Sequence, residues 1–297
     1  MNNIQALLKR EFLENKVSFL YTPLAIAGLI LFLIIVETIT LSNSFHTSGI
    51  QKLMEKGDEI ITAGIQTMLQ LPIILFGLVL FGVTLSYTLN SLYEDRKDKS
   101  ILFWKSLPVS DISTILYKVA SLLIMMPVIY FVIASVFQLV LLLYMSFQAW
   151  LADLSGFKLI ANSNFFGMLF NNLMGFIVAN LWMLPFWSWI MLTSAWAKKS
   201  VFLFTLLPFL FIAYVENWLF DTSDFAEMIG QHLASGFGIL NSNIKHIADH
   251  SKVHELDIEI MTVWSDVFGQ SDFWIGMLVS AVFLTGAIYT RRIKNEL

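Results

Sequence analysis

Residues 116–145 read LYKVASLLIMMPVIYFVIASVFQLVLLLYM, a stretch whose single charged side chain is Lys118 near its start. The apolar core of a bilayer is about 30 Å thick, and roughly 20 consecutive apolar residues cross it as an α-helix. This stretch is longer than that and continuously apolar, so it predicts a transmembrane helix. A strand of a membrane barrel would instead alternate apolar and polar residues with a period of two.

Five more stretches of similar character occur along the chain, at 17–41, 68–89, 165–193, 201–220 and 273–290. Of the 297 residues, 57% are hydrophobic and 13% are charged, whereas about 25% of a soluble domain is charged. We therefore predict an all-α integral membrane protein with six transmembrane helices in one domain over 1–297. The first span is long and no small-x-small motif follows it, which predicts a permanent helix rather than a cleaved signal peptide.

The basic residues are distributed unevenly between the two sides of the predicted bundle. Thirteen of the 18 Lys and Arg residues fall at the two termini and in the second and fourth loops. Because short loops rich in Lys and Arg stay in the cytoplasm, both termini are predicted to be cytoplasmic. The expected location is the cell membrane, as a multi-pass protein of a bacterial inner membrane.

The chain outside the spans is short. Residues 1–16 are predicted to form an amphipathic helix in the cytoplasmic interface, with Glu11 among its polar neighbours and an apolar face of Ile4, Leu7, Leu8 and Phe12. The longest loop is the outer segment 221–272, in which Gly230, Gly236 and Gly238 lie between helical-looking runs. We expect two short helices there, at the outer surface.

The sequence lacks the motifs of several kinds of active site. It contains no G-x-x-x-x-G-K-[ST], no H-E-x-x-H and no G-x-S-x-G motif, so neither a P-loop nor the motif-bearing hydrolase sites are expected. No Cys is present, which excludes disulfides and thiolate metal sites. The net charge of −4 argues against nucleic acid as a partner. We do not expect an enzyme.

The loop after the second span carries the strongest functional signal. Residues 91–111 read SLYEDRKDKSILFWKSLPVSD: a mixed-charge cluster, then an amphipathic part, then Pro108, after which Ser110 or Asp111 can cap the next helix. Such a segment can lie beneath the membrane and dock into a groove of a soluble partner, with Phe103 and Trp104 as anchors. An interfacial helix that merely joins two spans is an equally good interpretation of these residues.

The same loop resembles a known family. Residues 93–111, with their acidic-Asp-Arg cluster and Leu-Pro-Val-Ser end, resemble the first cytoplasmic loop of ABC exporter permeases of the type-two class. The N-terminal stretch LLKREFLE at 7–14 is similar to that family's amphipathic helix, and the six-span plan fits it. The resemblance implies a coupling helix that seats on a separate ATP-binding subunit. It implies these coupling residues: Glu94, Asp95 and Arg96 for polar contacts, Phe103, Trp104, Leu107 and Pro108 for the groove, and Ser106 beside them.

The resemblance also implies partners. Two permease chains, identical or related, would pair above two ATP-binding subunits, which hold the ATP and Mg; this chain would bind no cofactor of its own. Two alternatives stay open: a membrane-embedded enzyme acting on lipid, and a non-catalytic membrane assembly factor or receptor.

Two polar groups of residues are candidates for further sites. His246, His250 and His254 are spaced by four, and a pair of this kind can chelate a divalent metal. Three histidines on a straight helix span about 12 Å, too far for one ion, so a polar surface face is expected instead of a metal site. In the fourth span, Asn171, Asn172 and Asn180 either bond neighbouring helices or line a cavity, and we expect the former.

Overall fold

The fold is all-α and has the predicted six spans. The computed structural model describes residues 3–40, 58–99, 110–248 and 266–293. Within these ranges there is no strand, and six helical segments are long and apolar enough to cross a membrane. The chain is therefore a multi-pass membrane protein, and the predicted fold class is confirmed.

The described ranges contain twelve α-helices, two short π turns and a further helical stretch at 266–269. The α-helices are α1 Asn3–Glu14, α2 Thr22–Thr40, α3 Asp58–Asn90, α4 Tyr93–Lys97, α5 Asp111–Ala120, α6 Met126–Leu151, α7 Gly156–Asn162, α8 Phe165–Trp182, α9 Leu184–Trp196, α10 Val201–Phe220, α11 Asp224–Ala248 and α12 Ser271–Ile293. The π turns are Val17–Tyr21 and Ser121–Met125. The face where α1, α4, the start of α5 and the end of α12 meet is called the base of the bundle here.

Both π turns end two residues before a proline, at Pro23 and Pro127. Proline has no backbone N–H, and its ring collides with the carbonyl of the preceding turn. A wider turn just before the ring relieves that collision while the helix continues. The π turns therefore join α1 to α2, and α5 to α6, with changes in pitch rather than breaks.

The predicted fourth span is divided. The chain is helical to Trp182, and a new helix begins at Leu184, with Pro185 in its first turn. A proline is well tolerated at such a position because the first N–H groups of a helix have no partner within it. The break lies inside the core, since Met183 within it and Trp182 and Leu184 on either side of it are buried.

The core centres on α9, which packs mainly against α12 and α3. Large buried side chains from four helices fill the interior; they include Phe76, Tyr130, Phe176 and Trp187. In contrast, α10 buries only Val201 and Thr205. Its other side chains, such as Phe211 and Trp218, are exposed. A helix that is apolar on its exposed faces suits contact with lipid.

The outer segment differs from the prediction. The first helix of the segment is long rather than short: residues 224–248 form α11, which packs against α8 and α3. Residues 266–269 are helical again. The rings of Phe237 and Phe81 lie 4.9 Å apart between centroids. Gly236 allows this approach, because a Cβ there would overlap the side chain of Met183. Residues 249–265 of the segment lie outside the described ranges.

Candidate functional site

The loop that resembles a coupling loop begins in α4, at the base of the bundle. Of its predicted coupling residues, Glu94 is exposed, whereas Asp95 and Arg96 are buried. Phe103, Trp104, Ser106, Leu107 and Pro108 lie outside the described residues. The structure therefore defines how the two ends of the loop are held.

Arg291, in the last turn of α12, binds both ends of this loop. Its Nη1 atom donates to Oδ2 of Asp95 at 2.9 Å, and its Nε atom donates to Oδ1 of Asp111 at 3.1 Å. The arginine is 3% exposed. Hydrogen bonds between ionised groups are about twice as strong as neutral ones, and the planar guanidinium fixes their direction. One side chain of the last span thus ties the start of the loop to its end.

Arg96 attaches the same loop to α9. Its Nη2 atom donates to the carbonyl oxygens of Ser194 at 2.8 Å and Ala197 at 2.7 Å, at the C-terminal end of that helix. The last carbonyls of a helix have no partner within it and carry the negative end of its dipole. The buried guanidinium of Arg96 satisfies two of them through Nη2, while its Nε and Nη1 atoms have no hydrogen-bond partner among the described residues.

Ser194 reinforces this attachment from the other direction. Its hydroxyl accepts from the backbone N–H groups of Leu92 at 3.2 Å and Tyr93 at 3.0 Å, and donates to the carbonyl of Leu89 at 2.8 Å. The turn between α3 and α4 is therefore bonded to α9 through both backbone and side-chain groups. Such polar groups are satisfied where no water can reach them.

Two of the predicted coupling residues also make contacts inside this chain. The family resemblance implied that Asp95 and Arg96 contact a partner, but both have partners within this chain. In the sequence, Arg291 is one of the 13 basic residues that predict the orientation, and Ser194 carries no signal. A basic residue in the last turn of a span is an ordinary topology signal. The neighbouring sequence therefore does not distinguish a buried arginine that bonds two carboxylates from an arginine in contact with water.

A second buried cluster of charges ties α1 to the base. The Oε1 atom of Glu11 accepts from the Tyr87 hydroxyl at 2.7 Å, from Nζ of Lys118 at 3.4 Å and from Nδ2 of Asn15 at 3.4 Å. Glu11 is 1% exposed. Its expected place among the polar neighbours of an interface helix is therefore wrong, since α1 packs against α5 and presents this carboxylate to the interior.

The cap of α5 follows the sequence prediction. Ser110 is the N-cap residue, and its hydroxyl accepts from the N–H of Ser113 at 3.1 Å. Asp111, the other candidate cap, instead accepts from Arg291. The end of the loop is therefore fixed both by a helix cap and by the arginine.

The amides of the fourth span bond neighbouring helices. Asn172 accepts from Nε2 of Gln70 at 3.1 Å and donates to Oε1 of Gln138 at 3.2 Å, so it connects α3, α8 and α6. Asn180 donates to the carbonyl of Phe176 in its own helix. The expectation that these amides join helices is confirmed for Asn172.

The outer histidines and acids give no metal centre among the described residues. His246 belongs to the backbone of α11, while His250 and His254 lie outside the described ranges. Elsewhere in those ranges, no group of three His, Cys, Asp or Glu residues could hold a metal ion.

His232 occupies a defined position on α11. Its ring stacks on Trp182 with centroids 4.9 Å apart, and its Nε2 atom lies 2.9 Å from the Trp182 carbonyl, to which it donates. Burial lowers the pKa of this imidazole, although the hydrogen bond and the charge of Asp272 oppose the shift. The neutral form therefore suits the packed helix.

No family model matches this chain. No curated protein and no solved structure matches it either. Its function therefore has to be inferred from its own residues and their geometry.

Proposed function

We propose that this chain is the transmembrane permease subunit of an ATP-driven ABC exporter. A separate subunit would bind and hydrolyse ATP with Mg, and a second permease chain would complete the complex. The observation that carries the proposal is the attachment of the loop at 93–111. The segment that resembles a coupling loop is fixed at both ends to α12 by Arg291 and at its start to α9 by Arg96.

Through the hydrogen bonds of Arg291 and Arg96, a movement of the loop would be transmitted to the spans. A displacement of the loop pulls on Asp95 and Asp111, and through Arg291 on α12. It also pulls on the end of α9, which packs more extensively on α12 than on any other described helix. Buried charged hydrogen bonds resist separation, so these helices would move with the loop as a body.

The break at Met183 would absorb this movement. There α9 meets α8, and the backbone lacks the continuous hydrogen-bond ladder of one long helix. Changes of angle between packed helices are usually absorbed by a few residues at the ends of elements. A pivot at Met183 would let α9 and α12 tilt against α8, which changes access along the bundle.

The orientation in the membrane follows from the positive-inside distribution. Thirteen of the 18 Lys and Arg residues belong to the two termini and to the second and fourth loops, and α1, the loop at 93–111 and the end of α12 lie at the base. A cytoplasmic base would place the loop where an ATP-binding subunit can reach it. The outer helix α11 would then lie on the far side, in the half of the bundle away from ATP.

The first experiment is to purify the full chain gently from its native membrane and to assay for an accompanying P-loop protein with vanadate-sensitive ATP hydrolysis. Trp104→Ala should then reduce binding of that subunit by about 30-fold or more, as expected of an aromatic anchor. Trp218→Ala removes an equally large, exposed side chain from α10 and should leave binding unchanged.

The alternatives predict different results. A lipid-acting enzyme would show activity in the isolated chain without ATP. An assembly factor or receptor would retain a partner whose binding does not respond to ATP. The proposal would be overturned if no ATP-hydrolysing partner accompanies the chain. It would also be overturned if Trp104→Ala and Trp218→Ala bind the ATP-binding subunit equally well. Glu94→Ala is a suitable companion variant, because this carboxylate is exposed.

A further inference from the structure

A cavity of about 320 Å³ opens at the base between α1, the end of α3, α4 and α5. This volume lies at the small end of the usual range for ligand sites, roughly 300–1,000 Å³. Arg291 itself does not line this cavity, although Asp95, to which Arg291 is bonded, does. Its walls come from four helices, so the cavity is a feature of the tertiary fold.

The lining of the cavity has an excess of negative charge. Five carboxylates and two basic groups line it. Arg10 is paired with Glu14 at 2.6 Å, and Asp95 is paired with Arg291. Glu94 and Asp98 are exposed at the rim. A concave site with this balance attracts cations and repels anions.

Glu11 supplies the second observation. Three donors converge on its Oε1 atom, whereas Oε2 is shielded from solvent and accepts no hydrogen bond from any residue in the described ranges. A buried carboxylate oxygen without a donor is costly, and native structures seldom leave one in that state. Glu11 lines the cavity, so a donor bound there would be next to this carboxylate.

We propose that the cavity binds a cationic nitrogen group, an ammonium or a guanidinium, with Glu11 as its central partner and Glu94 and Asp98 at the entrance. A divalent metal suits the site poorly. Nζ of Lys118 lies 3.4 Å from the Glu11 oxygen and would repel it, and no three-ligand cluster exists among the described residues. A nitrogen cation carries one positive charge instead of two, so the lysine repels it less than it repels a divalent metal at the same distance, and directed hydrogen bonds to carboxylates hold it.

Two sources offer this chemistry: a free amine, or a Lys or Arg side chain of a bound protein. The first measurement is calorimetric titration of agmatine, which carries both an ammonium and a guanidinium, into the full chain in nanodiscs. One site per chain is expected, with binding that weakens as the salt concentration rises. The site itself does not depend on the proposed exporter function, because the titration requires neither ATP nor a partner.

The rim variants Glu94→Gln and Asp98→Asn should each weaken agmatine binding by about threefold to tenfold, since each removes one exposed charge. Glu11→Gln should weaken it at least tenfold. Glu227→Gln removes an exposed carboxylate from α11, remote in the chain from the cavity-lining residues, and should leave binding unchanged. Because Glu11→Gln can also disturb α1, the exposed rim variants keep the test independent of folding.

A competition experiment then identifies the source of the cation. Displacement of agmatine by the purified ATP-binding subunit indicates a basic side chain of that partner, and persistence of agmatine in the complex indicates a free amine. Absence of agmatine binding to the folded chain overturns the proposal. The proposal is also overturned if Glu94→Gln, Asp98→Asn and Glu11→Gln all bind agmatine as tightly as the wild type does. Neither result bears on the co-purification and ATPase assays of the proposed function.

Discussion

Replacing Arg291 with methionine is expected to loosen the base of the bundle. The substitution keeps an unbranched apolar chain but removes the guanidinium that bonds Asp95 and Asp111. Removing one partner of a fully buried ion pair costs about 3–5 kcal/mol. The carboxylate side chains here are 11% and 21% exposed, so water compensates in part. We expect a loss of about 2–3 kcal/mol in the free energy of unfolding, roughly a 30-fold to 150-fold change in the equilibrium constant.

The assay is reversible unfolding of the purified chain in detergent micelles, followed by circular dichroism. Arg291→Lys retains the charge but cannot make both directed bonds, so it should lose about half as much stability. Arg292→Met is the matched control, because it removes the adjacent, exposed arginine. Its effect should stay within about 0.5 kcal/mol, as for most surface substitutions.

A double-mutant cycle tests the pairing itself. Asp95→Asn in the Arg291→Met background should cost less than it does in the wild type, with a coupling of about 1–2 kcal/mol. Two results would refute the reasoning: strict additivity of the two substitutions, or an Arg291→Met protein as stable as Arg292→Met. If the exporter proposal holds, Arg291→Met should also reduce substrate-stimulated ATP hydrolysis while the ATP-binding subunit still binds.

Three further predictions use the same unfolding assay. Asn172→Leu removes the centre of the buried amide chain and should cost about 1–3 kcal/mol; a neutral result would argue against those bonds. Gly156→Ala should lower the free energy of unfolding, because its Cβ would overlap the carbonyl oxygen of Ser146. Gly82→Ala should instead raise the free energy of unfolding by up to about 1 kcal/mol, because its Cβ would point into open space. Burial lowers the pKa of His232 below its usual 6.5, so this residue's contribution should be complete above about pH 6.5 and decline as the pH falls further. His232→Gln should remove that part of the pH dependence, and an unchanged profile between pH 5 and 8 would contradict it.

The site was only partly visible in the sequence. The loop at 93–111 stood out through its charge cluster and its Leu-Pro-Val-Ser end, which are local features. The residues that fix it did not, because the bonded partners Arg291 and Asp95 are 196 positions apart. Likewise, Glu11 and Lys118 are 107 positions apart and meet only when α1 packs on α5.

Local sequence was enough to predict the six spans, the N-terminal amphipathic helix and a helix cap at Ser110 or Asp111. Each of these depends on residues within one helix length, and a run of about 20 apolar residues has few alternatives in a membrane. Only the tertiary structure decided that Glu11 is buried, that α11 packs into the bundle, and that the fourth span breaks at Met183. These features depend on which helix faces fit together, and side-chain packing between distant segments leaves no periodic pattern in the sequence.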